Sequence, residues 1–231
     1  MRCLAVLALA AAALAVGVAS AGATNECRGL QVCVPVAGPW VVVPAGVAVP
    51  RAHVEYQLSC PRGYVVGGLD AELTDPAIDL TFLGTLGSPV TPGITTSRDA
   101  VFGAAYVGGA PHGPSFRPHI GCMPANGGGG RVPTSATVPP GKPTVRRVRT
   151  VSLHAGRSRV VQGCAAGERL VGASYALGFQ TTAPPTARQI AGLTATQAVS
   201  GGRVTVSVRA GATLRDAQPL VQVDAICAGG R

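Results

Sequence analysis

Cys60-Pro61-Arg62-Gly63-Tyr64-Val65-Val66-Gly67-Gly68 and Cys164-Ala165-Ala166-Gly167-Glu168-Arg169-Leu170-Val171-Gly172 share a cysteine, a glycine three residues on and a second glycine eight residues on. Each segment later meets another cysteine at almost the same interval, Cys122 after 62 residues and Cys227 after 63. Both closing cysteines end alternating stretches: Phe116, Pro118, Ile120 and Cys122 share one parity, as do Val221, Val223, Ala225 and Cys227. That is the period of a strand with one buried face. Val41-x-Val43-x-Ala45-Gly46 also matches Val151-x-Leu153-x-Ala155-Gly156, and 101–108 resembles 204–211. The chain reads as a degenerate tandem repeat.

The repeat fixes the cysteine arithmetic. Of seven cysteines, Cys3 lies in an Ala/Leu/Val-rich stretch opened by Arg2 and closed by small residues, the signature of a secretory signal over 1–23. Cleavage is expected after Ala23, with Ala21 as the other small-x-small site; an uncleaved anchor from Leu4 to Ala23 is the competing reading. Six cysteines remain, an even number suited to an oxidising compartment. The expected pairs are Cys60–Cys122, Cys164–Cys227 and a small N-terminal loop, Cys27–Cys33. Metal ligation is a weak rival, because no C-x-x-C occurs.

Between the copies, Ala125-Asn126 and the Gly127–Gly130 run continue to Pro143 with almost no bulky apolar residue, as a linker would. Short strands are expected at 52–59, 64–70, 77–83, 99–107, 115–122, 169–177, 203–209 and 220–227, punctuated by Gly, Pro or Asp. In the last but one, Val204, Val206 and Val208 face one way, while Arg203, Thr205, Ser207 and Arg209 face solvent. The fold class is therefore all-β: two tandem degenerate antiparallel β-sandwich-like units, each closed by one disulfide. The organisation is 1–23 signal peptide, 24–39 cystine loop, 40–124 first unit, 125–143 linker and 144–231 second unit. Trp40, the only Trp, precedes Cys60 and so does not fit an immunoglobulin core.

With 47% hydrophobic and 13% charged residues, the chain falls outside the solvated, highly charged class of disordered proteins. Its net charge of +9 is unevenly spread. From 24 to 126 there are five basic and seven acidic residues; from 127 to 231 there are thirteen and three. Arg146, Arg147, Arg149, Arg157 and Arg159 are densest and form the candidate polyanion-binding set, for an anionic cell-envelope polymer or an extracellular protein. Arginine outnumbering lysine eighteen to one also fits the bias of a GC-rich bacterial genome, which does not explain why the first unit stays acidic. Nucleic acid is disfavoured, since the basic unit offers only Tyr175 and Phe179 for stacking.

Asp70, Glu72, Asp75 and Asp79 form the other constellation. A calcium site there competes with a solvated strand edge, and the matching positions Ser174, Ala176, Phe179 and Ala183 carry no carboxylate. Among the histidines His53, His112, His119 and His154, His112 and His119 are candidates to ligate a metal or to pair with Asp99. No nucleophile elbow, zinc-protease helix, P-loop or dinucleotide fingerprint is present, so no catalytic residue, metal or cofactor is assigned. The expected function is a secreted, non-catalytic binding or structural protein, extracellular or envelope-associated. Alternatives are a hydrolase, a carbohydrate-binding module short of aromatics, or a protease inhibitor presenting Gly87-Ser88-Pro89-Val90-Thr91-Pro92-Gly93.

Overall fold

A computed structural model describes residues 24–30, 32–45, 52–83, 98–109, 113–125 and 144–229. The expected signal at 1–23, the expected linker but for Ala125, His112 and the Pro-rich segment at 87–93 lie outside them. The described chain is nearly all β: β1 (Val34–Ala37), β2 (Trp40–Val42), β3 (His53–Ser59), β4 (Tyr64–Leu73), β5 (Ile78–Leu83), β6 (Asp99–Tyr106), β7 (Ser115–Pro124), β8 (Thr144–Ser152), β9 (Gly156–Gly163), β10 (Glu168–Phe179), β11 (Leu193–Ser200), β12 (Arg203–Ala210) and β13 (Pro219–Gly229), with a short α-helix, α1 (Ala187–Ala191), and a 3-10 turn at Ala212–Ala217.

The shared cysteine-glycine spacing has a structural cause. Tyr64 N–H bonds Pro61 O, and Glu168 N–H bonds Ala165 O, closing two four-residue turns. Their third positions, Gly63 and Gly167, have φ of 83° and 82°, the left-handed region a type II turn demands there. The glycine eight residues on marks a bulge in the strand that follows, between Val66 and Gly68 in β4 and between Leu170 and Gly172 in β10. Turn and bulge together account for the signature.

Pairing recurs in the same scheme. β7 pairs β4 on one side and β1 and β2 on the other, while β13 pairs β10 and β8. β6 lies between β3 and β5, and β12 between β9 and β11. The two halves are not separate sandwiches, however. Val41 and Trp40 of β2 pair with Gly178 and Phe179 of β10, so one antiparallel sheet of seven strands runs through both.

Residue parity shows where the three-stranded sheets lie. Val41, Phe116, Ile120, Cys122 and Leu220 share a core with Val54, Tyr56, Phe102 and Ala104 of β3 and β6. Phe179, Val221, Val223, Ala225 and Cys227 share another with Val160, Val204, Val206 and Val208 of β9 and β12. Neighbours along a strand point to opposite faces. Leu220 and Val221 therefore place the β3–β6–β5 sheet on one face of the long sheet and the β9–β12–β11 sheet on the other. Disulfides Cys60–Cys122 and Cys164–Cys227 tie each flanking sheet to it, and Cys27–Cys33 closes the N-terminal loop.

Where the halves meet, polar groups replace apolar ones. Gln222, 2% exposed, accepts from Gln57 N–H and donates to Gln57 O and Thr150 Oγ1, satisfying both backbone groups of Gln57 on the free edge of β3. Arg146 of β8 bonds both Glu55 of β3 and Asp224 of β13. One guanidinium thus serves two carboxylates. Burial lowers the Arg146 pKa, but hydrogen bonds and the charges of Glu55 and Asp224 outweigh it and raise it. Burial pushes the Asp224 carboxyl up to about 6, against the pull of Arg146 and helped by the Glu55 charge. The Tyr56 phenol rises to about 12 for the same reason, burial first and then Asp224.

A folded-state pKa above the unfolded value means that the native state holds the Asp224 proton more tightly. Its protonated form favours folding, and that contribution is lost as pH rises from about 4 through about 6. Melting temperature followed over this range is expected to show the loss as a wild-type minus Asp224→Asn difference that falls with rising pH. A flat difference curve contradicts the assignment.

Candidate functional site

β12 alternates strictly, and β9 and β11 pair on either side of it. Val160, Leu193, Val204, Val206 and Val208 turn inward, which leaves Arg157, Arg159, Thr194, Thr196, Ser207 and Arg209 exposed on the outer face. Register arranges these in two rows: Arg159, Ser207 and Thr196 in one, Arg157, Arg209 and Thr194 in the next. Positions two apart on a strand are separated by about 7 Å and neighbours across strands by about 5 Å. The rows line a shallow, open depression of about 470 Å³.

Arg157 and Arg209 stand directly opposite one another. Like charges so placed destabilise a sheet. Among the described residues neither they nor Arg159 make an ion pair. Guanidinium groups present a planar fork of donors suited to carboxylate or phosphate oxygens, and the flanking hydroxyls add donors with no charge of their own. This face gathers three guanidinium groups and three hydroxyls in two adjacent rows, a three-cation cradle.

The structure divides the five arginines singled out in the sequence. Arg146 is committed to Glu55 and Asp224 at the junction. Arg147 makes a two-pronged bond to Glu168 at 2.6 and 2.8 Å. That bond, then the Ala165 N–H, holds the Glu168 carboxyl down at about 2. Arg149, on β8, donates to Val161 O at the edge of β9. Only Arg157 and Arg159 belong to the cradle. Its third cation, Arg209, and its hydroxyls were missed as a site because their strand partners are not visible in sequence, although the alternation of β12 already turned Ser207 and Arg209 to solvent.

The four acidic residues are also dispersed. Asp70 accepts from Asn25 N–H and Ala71 N–H; Glu72 meets His119 and Arg117. Asp75 accepts from Ala77 N–H and the Tyr106 hydroxyl, and Asp79 lies on β5 in the other sheet. His119 is buried beside Glu72, while Asp99 bonds Ser59 between β3 and β6, so the two do not form an acid-base pair. His53 and His154 are exposed. Among the described residues, the group of ligating atoms close enough for a metal is Cys164, Glu168 and Cys227, whose sulfurs are already bonded to each other. No protein family, curated protein or solved structure matches the chain.

Proposed function

We propose that this is an extracellular, non-catalytic binding protein made of two copies of one disulfide-closed, six-position β unit, whose second copy holds an extended anionic polymer on the outer face of β9–β12–β11. The observation that carries the reading is the Arg157–Arg209 opposition beside Arg159, three unneutralised cations on a surface that gains nothing structurally from them. The spacing of about 7 Å along a strand suits successive charged groups of an extended chain. Three disulfides support an oxidising destination, to which the signal-like segment at 1–23 would direct the chain. Tyr175 and Phe179 pack inward with the second core, so bases would find no stacking platform there.

Calorimetric titration of the mature chain with heparin and with long-chain polyphosphate tests the proposal and separates sulfate from phosphate recognition. Arg157→Glu with Arg209→Glu is expected to weaken binding at least about tenfold, equivalent to about 1.4 kcal/mol. Arg147→Gln should leave it within about twofold. Binding should also weaken as salt rises, because these charges are exposed. Equal loss in both variants, or no binding to either polymer, rejects the reading.

A further inference from the structure

The junction between the halves uses one edge from each, and among the described residues the complementary edges are unpaired. β2 of the first half meets β10 of the second; β8 stands beside β13 as β1 and β2 stand beside β7, β4 stands where β10 does, and among the described residues β8 and β4 each pair on one side only. Strand direction and sheet face both reverse from one half to the next, so the halves are related by a half-turn and a shift along the sheet. An operation of that kind does not close on itself.

At the junction, β3 also lies over the back of β10 and β13, through Gln57–Gln222 and Glu55–Arg146–Asp224. The same face of the first half is the back of β4 and β7, since Asp70 opposite His119 in register corresponds to Ser174 opposite Asp224. There the cover is the chain's own N-terminal cystine loop. Asn25 N–H bonds Asp70 at 2.6 Å, Glu26 is buried 3.9 Å from His119, and Glu26 O occupies the space a Cβ would take at Gly68 or Gly121, at 1.8 and 2.1 Å. The loop sits where a preceding unit would sit, as a cap. Its hold is imperfect, because Glu26 Oε2 is buried with no hydrogen-bond partner among the described residues.

We infer that the loop at 24–33 is a displaceable cap on a self-docking face, and that once it lifts, the β4–β7 face and β4 edge of one copy receive the β8 edge and β9 of another. Charge favours this pairing: β8 and β9 bring Arg149, Arg157 and Arg159, whereas β4 offers Asp70, released when Asn25 lifts, and Glu72, which in the capped form meets His119 and Arg117 of β7; β8 against β8 would oppose like charges. Glu55 and Arg159 each stand five residues before the first cysteine of their half. The covering strand thus brings an acid to basic Arg146 inside the molecule and a base to acidic Glu72 between molecules.

Sedimentation velocity over a concentration series tests this on the mature chain, on Gly68→Ala and on Cys27→Ser with Cys33→Ser. Gly68→Ala puts a methyl group into Glu26 O and expels the loop; the cysteine variant frees it. The wild-type mass should be independent of concentration. Both variants, with unchanged circular dichroism and the two larger disulfides intact, should grow past the dimer without a plateau, shrink again in high salt, and return to monomer when Glu72→Lys is added. The inference is overturned if the folded variants stay monomeric, stop at a dimer or ignore Glu72→Lys, or if both variants unfold, which would make the loop part of the fold instead of a cap.

Discussion

Arg146→Met is expected to destabilise the protein by about 3–5 kcal/mol, since removing the cation leaves the buried carboxylate of Asp224 facing the half-buried Glu55 without the charge that compensates both. For a chain of this size that is a fall in melting temperature on the order of ten degrees. Side-chain exposure of 16% for Arg146, 18% for Glu55 and 1% for Asp224 keeps water from compensating the loss. Arg147→Met is the contrast. Its pair with Glu168 has an arginine 35% exposed, where solvent screens the charges, so the shift should be much smaller. A thermal melt of the two variants decides: similar small shifts would mean that the junction is not held by its ion triad. Because β8, β3 and β13 meet there, the loss should appear as the halves separating before either core melts.

Removing Cys164–Cys227, as the double serine variant, is expected to cost about 4 kcal/mol by releasing a loop of about 60 residues in the unfolded chain. The same figure applies to Cys60–Cys122, with its separation of 62. Opening Cys27–Cys33, only six residues apart, should cost about 2 kcal/mol on the same scale. The larger two also join layers, since Cys60 follows β3 and Cys164 follows β9, while Cys122 and Cys227 lie within the central sheet. Denaturant unfolding of the three double variants should rank them accordingly. An N-terminal variant as destabilised as the others would contradict the chain-entropy account.

The antiparallel β character was legible because buried central strands carry strict alternation: Phe116 to Cys122, Val204 to Val208 and Val221 to Cys227 each send every second side chain into a core. The cysteine pairing was legible from the repeat. The edge strands β8, β9 and β11 of the second half were not. β8 has Val145, Val148 and Val151 three apart with arginines between them, because its faces serve an ion triad on one side and a core on the other. β11, Leu193–Ser200, places only Leu193 and Ala195 against the core and exposes most of the rest. The β2–β10 pairing that fuses the halves spans two residue pairs and leaves no periodic trace. Likewise the arginine density after the linker was visible, but whether each cation is spent on a carboxylate depends on partners as distant as Glu55 for Arg146.

Backbone amide mapping by nuclear magnetic resonance, during titration of residues 24–231 with heparin or polyphosphate, tests the central assignment most directly. Shifts confined to β9, β11 and β12, largest around Arg157, Arg159, Ser207 and Arg209, are the result expected of a cradle on that face. Shifts spread evenly over all exposed arginines, or centred on β8, would contradict it and reduce the basic half to a diffuse electrostatic field.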